Sequence, residues 1–261
     1  MKITEIKCKT ALSKSNLPGL DYSLNPYRGC GHKCAYCYVP NVLRINRSEW
    51  GNFVDVKTNI PVVLAKELKT KKHGVVGLST VTDPYQPIEK KYRLTRYCLE
   101  QLLRYDFPVH IQTKSDLVIR DIDLISKFSN IEVMFSIGTL NDCVRKLLEP
   151  KSSSIQNRLN AMKKLSDEKI KTSVFFGPIY PNISFEEVKK ICDTFVYYGA
   201  KEIMLDRFNF KPGIYKNIES VLEKHPELSF KNLEDKEYYN KIKAEMIKYF
   251  AKKRIKVTEA F

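Results

Sequence analysis

Short apolar runs that alternate with helical patterns are the feature that most limits how this chain can fold. The runs at residues 75–79, 109–112, 131–135, 172–176 and 202–205 are apolar and bounded by turn residues. They predict buried strands, and a further short strand is expected before Cys30. Apolar residues at helical spacing fill the intervals. The alternation predicts an α/β protein with about six βα units, arranged as a partial (β/α)6 barrel.

Two polar motifs fit the starts of predicted helices. Asn59 precedes Pro61 and an apolar stretch, so Asn59 is expected to cap a helix that has proline in its first turn. Ser184 and Glu187 have the spacing of a capping box, and an apolar helical pattern follows them.

The length and composition favour one domain. The chain has 261 residues, 43% of them hydrophobic, which is enough for a sizeable core. We expect residues 1–24 to form an N-terminal extension, residues 25–210 the barrel core and residues 211–261 a C-terminal helical segment. No signal peptide and no membrane span is apparent. We therefore expect a cytoplasmic protein with reduced thiols and no membrane partner, acting as a monomer.

The chain carries a large excess of positive charge. It has 45 Lys and Arg against 30 Asp and Glu, a net charge of +15. A surface this basic attracts polyanions, so nucleic acid is a candidate partner. The alternative is that lysines only solvate helix faces, as at residues 69–72 and 252–254. Residues 207–211 (RFNFK) mix bases with aromatic side chains, which suits stacking on unpaired bases or an ordinary closing loop.

Three of the seven cysteines lie in one short loop, where three and then two residues separate Cys30, Cys34 and Cys37. Thiolates bind iron–sulfur clusters or zinc. Three thiolates on a 4Fe–4S cubane leave one iron open, and an open metal position takes a substrate ligand. The amino and carboxylate groups of S-adenosylmethionine (SAM) are such ligands. The alternatives are a zinc site with His32 as fourth ligand, or three unrelated buried cysteines, but no second Cys/His pair follows at zinc-finger spacing.

The CxxxCxxC pattern of this loop resembles the radical SAM superfamily. The chain is most similar to its spore photoproduct lyase-like branch, whose members are often labelled DNA repair photolyases. The resemblance is carried by residues 12–15 (LSKS), 24–30 (LNPYRGC), 82–87 (TDPYQP), 112–115 (QTKS), 135–137 (FSI), 148–150 (LEP) and 177–179 (GPI). It implies a 4Fe–4S cluster on the three cysteines, SAM, and a reductant such as ferredoxin or flavodoxin.

The resemblance also implies which residues bind SAM. Tyr36 matches an aromatic residue that packs near the adenine. Lys114 matches a basic residue that pairs with the SAM carboxylate, and Ser136 matches a serine that reaches the ribose or methionyl group. For each of the three, ordinary packing, ion pairing or strand-end bonding is the alternative.

The segment after the second strand contacts the methionyl amino group in the family. This chain has Ser79, Thr80 and Asp83 there, and their oxygens can bind an ammonium group. Arg158 and Glu149 are expected to pair beneath the SAM. The alternative is a surface ion pair of little energetic value.

The hydrogen donor is where the sequence departs from spore photoproduct lyase. That enzyme uses a cysteine after the second strand, where this chain has Thr80, and the O–H bond of threonine is too strong for the same role. The departure argues against repair of the spore photoproduct itself. Candidate donors are Cys98, Cys143 and Tyr85, and Tyr38 and Tyr180 are candidate radical relays. Each is alternatively a packing residue.

The sequence therefore predicts a radical SAM enzyme. The resemblance implies reductive cleavage of SAM to a 5′-deoxyadenosyl radical, which abstracts hydrogen from the substrate. A nucleic acid base is the first candidate substrate, and it would have to leave the base stack to reach a buried radical. Small metabolites and peptides are alternative substrates. A non-catalytic iron–sulfur module that only binds nucleic acid is a further alternative.

Overall fold

The computed structural model describes residues 1–225, 228, 230 and 232–260, and two sheets form its framework. The strands are β1 (Lys2–Ile6), β2 (Leu12–Lys14), β3 (Tyr22–Leu24), β4 (Tyr27–Arg28), β5 (Phe53–Lys57), β6 (Val76–Leu78), β7 (Val109–Thr113), β8 (Ile131–Ser136), β9 (Lys171–Phe176), β10 (Glu202–Leu205) and β11 (Lys256–Glu259). The larger sheet has eight strands in the order β11-β10-β9-β8-β7-β6-β3-β2.

Helices connect the strands of the larger sheet. They are α1 (Val39–Leu43), α2 (Ile60–Glu67), α3 (Glu89–Tyr92), α4 (Leu94–Leu103), α5 (Ile122–Ile125), α6 (Asp142–Leu148), α7 (Ile155–Asp167), α8 (Phe185–Tyr197), α9 (Ile214–Leu222) and α10 (Lys236–Lys252), with 3-10 helices at Arg47–Glu49 and Asp116–Asp121. Among the described residues, no helix has the length and apolarity that crossing a membrane requires.

The larger sheet confirms the predicted parallel βα architecture. Each neighbouring pair from β3 to β11 is parallel, and only β2 is antiparallel to its neighbour. The six expected strands correspond to β3 and β6 to β10. Because β2 and β11 are two separate edges in this strand order, the sheet is an open, partial barrel. The carboxyl ends of the parallel strands share one rim, where such folds bind ligands.

The strands β1 and β11, near the two ends of the chain, were not predicted from the sequence. β1 and β5 pair in parallel, and β4 joins β5 to complete a small three-stranded sheet. The expected helical segment at residues 211–261 also ends in β11, which extends the larger sheet beyond β10. β1 (KITEI) and β11 (KVTE) are short and mix charged with apolar residues. Edge strands have this character, which weakens the apolar signal used to predict them.

One continuous core unites these elements. Its buried apolar residues extend from Ala11 to Phe250, so the terminal segments pack on the same core as the barrel. Of the two predicted caps, the capping box at Ser184 and Glu187 is confirmed. Asn59 does occupy the N-cap position of α2, but the prediction that its side chain caps the helix is wrong. The side-chain amide instead accepts from Cys8 N (2.8 Å) and donates to Cys8 O (2.9 Å).

Candidate active site at the carboxyl ends of the strands

The cysteine loop follows β4 and is held by the loop after β6. The Gln86 side chain accepts from Gly31 N (2.7 Å) and donates to Gly29 O (3.2 Å). Thr82 Oγ1 donates to the same Gly29 oxygen at 2.6 Å. Gly29 has φ +86°, and a Cβ there would lie 2.6 Å from a backbone oxygen, so only glycine fits this turn. The conformation of the loop is therefore fixed by the TDPYQP segment.

The three cysteines of the loop are close to one another and shielded from water. Cys30 and Cys34 are buried, and Cys37 is partly buried. Burial raises the pKa of Cys30 to about 12 and also raises the pKa of the other two thiols. Negative charge adds to the rise in pKa, from Asp83 and Cys37 for Cys30, and from Glu149 and the other two cysteines for Cys34. Buried thiols of this kind become stable thiolates when a metal supplies compensating positive charge.

The donor set fits a cluster better than a single ion. Among the described residues, no three His, Cys, Asp or Glu side chains converge on one metal ion. A cubane does not require such convergence, because each thiolate binds a different iron. His32, the candidate fourth zinc ligand, has its Nδ1 3.0 Å from Lys151 O and its Nε2 3.3 Å from Asp83 Oδ2. The Nε2 approach is poorly aligned for a hydrogen bond but close enough for charge attraction.

Asp83 is occupied by protein groups. Its carboxylate accepts from Tyr85 N (2.9 Å), Thr113 Oγ1 (2.8 Å) and Lys114 N (2.8 Å), in addition to the approach of His32. Burial raises the pKa of Asp83, but His32 and these donors more than offset it and hold the pKa at about 2. Because its lone pairs are already engaged, Asp83 ties the end of β7 to the cysteine loop rather than offering a free oxygen to an ammonium group.

A charged network lies behind the cysteine loop. Tyr36 donates its hydroxyl hydrogen bond to Glu149, and Arg158 pairs with the same carboxylate. Arg158 and Glu149 are 0% and 1% exposed, so the alternative of a weak surface pair is wrong. Lys114 Nζ lies 5.8 Å from the centroid of the Tyr36 ring. Burial lowers the pKa of Lys114, but the negative charges of Cys34 and Glu149 raise it by more. The net pKa is therefore above its usual value, and the ammonium group is charged.

Several buried hydroxyls have no hydrogen-bond partner in the described part of the chain, and two of them lie in the loops after β6 and β9. Ser79 Oγ directly follows β6, and Tyr180 Oη lies in the loop after β9; both atoms are buried. Ser136 Oγ, at the end of β8, accepts one bond from Gln112 (3.1 Å) and can still donate. Buried polar atoms normally have partners, so open positions here suit a polar ligand. Cys30, Cys34 and Cys37 with these groups fit a 4Fe–4S cluster and SAM.

Thr80 is fixed by a residue whose role the sequence analysis did not assign. Asn25 Oδ1 accepts from Thr80 N and Val81 N, both at 3.0 Å, and its amide donates to Thr80 Oγ1 at 3.3 Å. Asn25 and Gln86 both lie in segments that carry the family resemblance. Each is an Asn or Gln directly before a proline in such a segment. This pattern is the signal that could have identified both residues as stabilising the loop.

The candidate hydrogen donors are dispersed. Cys98 is buried in α4, where its electrostatic neighbours are Glu89, Cys8 and Lys57. Cys143 is exposed in the first turn of α6. Tyr85 is buried, with the Arg120 guanidinium 5.9 Å from its ring centroid. In the described part of the chain, none of the three forms a hydrogen bond, ion pair or ring contact with the cysteine loop.

The two candidate relays lie closer to the loop. Tyr38 is 45% exposed at the rim, and its hydroxyl donates to Thr80 O at 3.4 Å. Tyr180 packs edge to face on Tyr36, with ring centroids 6.2 Å apart. Tyr38 thus bridges the cysteine loop and the segment after β6.

Comparisons with known proteins agree with this geometry. The fold is similar to that of two spore photoproduct lyase structures, a mutant (TM-score 0.74) and a complex with dinucleoside spore photoproduct (TM-score 0.73). Each is 16% identical to this chain. The aligned region covers 99% of this chain and 82% of the spore photoproduct lyase chain. Streptococcus suis SuiB bound to a precursor peptide has a TM-score of 0.59 at 14% identity, over 94% of this chain and 50% of its own. These likenesses concern the fold.

Sequence relatives extend the comparison. An uncharacterized protein of Methanocaldococcus jannaschii is 39% identical over 70% of each chain. A protein of Acidianus two-tailed virus is 31% identical over 65% of this chain and 60% of its own. A Pseudomonas phage protein named Radical SAM Nalpha-GlyT isomerase is 25% identical over 69% of this chain and 38% of its own. Residues 24–195 match the family described as the Radical SAM superfamily. The chain belongs to the Radical SAM superfamily.

Proposed function

We propose that this protein cleaves SAM reductively and uses the resulting radical to modify or repair a nucleic acid base. The observation that carries the choice of substrate is the group of basic side chains beside the rim of the barrel. Arg44, Lys151, Arg207 and Lys211 are exposed, and none of them forms an ion pair in the described part of the chain, although the charge of Arg207 does act on the neighbouring Asp206 carboxylate. Unpaired cations near the strand ends attract the phosphates of a nucleic acid strand.

Within this proposal, the cysteine loop and the strand ends divide the binding of cofactors. Cys30, Cys34 and Cys37 would hold a 4Fe–4S cluster through their thiolates, and SAM would bind beside them. Lys114, which is charged and lies beside Tyr36, binds the SAM carboxylate. Ser79 offers the unpartnered buried hydroxyl that the methionyl amino group requires. Asp83 acts indirectly, since its bond to Lys114 N fixes the backbone of that lysine.

When bound, the cluster and SAM supply a one-electron cleavage that yields methionine and a 5′-deoxyadenosyl radical able to abstract hydrogen from the substrate. The contribution of the protein is orientation and exclusion of water. Tyr36 cannot swing freely, because its hydroxyl is bound to Glu149 and its ring packs against Phe208 at a centroid distance of 5.8 Å. The Tyr36 ring is therefore held in one orientation beside Lys114.

The relatives support a nucleic acid substrate without defining the reaction. One spore photoproduct lyase structure of the same fold contains a dinucleoside, and the phage relative is named an isomerase. Thr80 stands where spore photoproduct lyase has its hydrogen-donating cysteine. We therefore propose a reaction other than repair of the spore photoproduct.

The experiment is anaerobic release of 5′-deoxyadenosine by the reconstituted protein, with SAM and dithionite, in the presence or absence of DNA or RNA. Release that nucleic acid stimulates supports the whole proposal. Release without stimulation retains the chemistry but contradicts the substrate and favours a metabolite or peptide. An intact cluster without release, even with varied nucleic acids, favours a binding module.

A matched pair of variants controls this experiment. Cys34→Ala removes a proposed iron ligand and should lose both the brown colour and SAM cleavage. Cys192→Ala removes an equally buried thiol in α8, which belongs to the main core, and should retain both. Loss in both variants, or in neither, would contradict the assignment of the cluster ligands.

A further inference from the structure

Residues 207–217, which we call the aromatic segment, lie against the cysteine loop and the helix α1 that follows it. Asn41 Nδ2, in α1, donates to Pro212 O at 3.1 Å. Asn217 Nδ2 donates to Ala35 O, inside the cysteine loop, also at 3.1 Å. A ligand bound by this segment is therefore held beside the candidate active site.

The rings of the aromatic segment form a chain that leads from the cysteine loop to the surface. Phe208 is buried and packs on Tyr36 at a centroid distance of 5.8 Å, so it closes the loop and offers no free face. Phe210 is partly buried and stacks on Phe208, with centroids 6.1 Å apart and ring planes at 13°. Tyr215, in the first turn of α9, meets Phe210 at 5.8 Å and is 43% exposed. Tyr215 is therefore the ring of this chain that is most accessible to a ligand.

Charges of both signs surround Tyr215. Lys211 and Lys216 are exposed, and neither forms an ion pair in the described part of the chain. Tyr215 also lines a cavity whose carboxylates belong to Glu219, Glu234 and Asp235. Carboxylates repel phosphates but accept hydrogen bonds from the amino groups of bases. The ring and the cavity therefore suit a base, and the two lysines suit the phosphates next to it.

We propose that Tyr215 is a stacking platform for an unpaired base of a nucleic acid strand whose phosphates lie on Lys211 and Lys216. This inference rests on the proposed nucleic acid substrate and names the form that the surface takes, which is a single strand or an unpaired stretch. An unpaired base exposes a face that stacks on an aromatic ring, whereas the bases of an intact duplex are stacked on one another. Because the aromatic segment contacts the cysteine loop, a base held on Tyr215 places the neighbouring nucleotides beside the candidate active site.

The first test compares Tyr215 with a tyrosine of equal exposure elsewhere. Fluorescence anisotropy with a labelled DNA single strand of mixed sequence measures the affinity at one salt concentration. Loss of stacking on one ring should weaken binding by about 5- to 150-fold in Tyr215→Ala, whereas Tyr215→Phe keeps the ring and should retain the affinity. Tyr97→Ala is the control, because Tyr97 is 42% exposed on α4. A loss in Tyr215→Ala no larger than in Tyr97→Ala would overturn the inference.

The second test separates stacking from charge. A strand of the same length made of abasic nucleotides keeps the phosphates but has no bases, so Tyr215→Ala should bind this strand as tightly as the unsubstituted protein does. Lys211→Gln/Lys216→Gln should weaken the binding of both strands. An equal loss on both strands in Tyr215→Ala would overturn the inference, because the ring would then contact the backbone. Failure of the unsubstituted protein to bind any single strand would overturn the proposed nucleic acid substrate itself and favour a metabolite or peptide.

Discussion

Arg158 and Glu149 form an ion pair that is completely shielded from water. Glu149 also accepts from Tyr36 and from Ser152 Oγ (3.0 Å), and Arg158 donates to Ser136 O at 2.7 Å. The pair thus joins the cysteine loop, the end of β8 and the start of α7. A buried pair is tolerated when the surrounding groups satisfy its remaining donors and acceptors, as they do here.

Removing one charge of this pair should be strongly destabilising. Glu149→Gln leaves the Arg158 guanidinium buried without a counter-charge, and we expect the free energy of unfolding to fall by about 3–5 kcal/mol. Urea denaturation measures it. Glu168→Gln, at the exposed end of α7, is the control and should change little. A loss in Glu149→Gln no larger than that of the control would contradict the role of the pair.

Asn25 should control the segment that contains Thr80. Asn25→Ala leaves two backbone N–H groups without their acceptor, which should cost about 1–3 kcal/mol of unfolding free energy and weaken SAM binding. Asn25→Asp retains an acceptor oxygen and should recover most of both. Thermal unfolding and SAM titration of the reconstituted protein measure the effects. Asn160→Ala, on the exposed face of α7, is the control; equal SAM affinity in all variants would refute the prediction.

Asp206 predicts a specific dependence of stability on pH. Burial raises its pKa to about 6 from the usual 3.8, and the bond from Asn209 (2.9 Å) only partly offsets this. Because the folded pKa is the higher one, its stabilising contribution is complete below about pH 4 and is lost as the pH rises through 6. Relative to Asp206→Asn, the unsubstituted protein should therefore lose about 1–2 kcal/mol between pH 4 and pH 8.

Asp206→Asn is a conservative test, because the asparagine oxygen can still accept from Asn209. Denaturation curves of the two proteins should coincide below about pH 4 and separate as the pH rises from 4 to 6, with the variant the more stable. A constant difference across this range would show that Asp206 does not titrate as predicted.

The basic rim predicts how nucleic acid binding depends on salt. If Arg207 and Lys211 each contact a phosphate of a single strand, the double variant Arg207→Gln/Lys211→Gln should reduce the slope of log K against log salt by about 1.4. Fluorescence anisotropy with a labelled single strand measures this slope. The control is Lys163→Gln/Lys189→Gln, which removes the same charge from lysines paired with Asp167 and Asp193 on α7 and α8. An equal decrease in both would indicate a diffuse field rather than a binding surface.

The fold was predictable where the chain is uniformly apolar. β8 is buried at every position except Glu132, and such runs are recognisable because both faces of a parallel sheet are covered. β1 and β11 were not predictable, because their partners β5 and β10 are distant in sequence and supply the pairing that their own residues do not indicate.

The site was predictable in its residue types but not in their partners. Sequence spacing shows that Cys30, Cys34 and Cys37 share a loop, and the strand ends show where Lys114 and Asp83 belong. It does not show that the Asp83 carboxylate is already engaged by protein donors. It also does not show that Trp50 packs in a small apolar cluster beside Cys30 and Cys37, because this packing depends on an intervening helix and turn, which no motif encodes.

The contact between α9 and the cysteine loop has a consequence for the order of synthesis. Asn217 donates to the backbone oxygen of Ala35, 182 residues earlier in the chain, at 3.1 Å. On the ribosome, the cysteines emerge long before the helix that contacts their loop, and contacts of such long range form late. The loop that would hold the cluster therefore reaches its full set of contacts only once the last sixth of the polypeptide is being made.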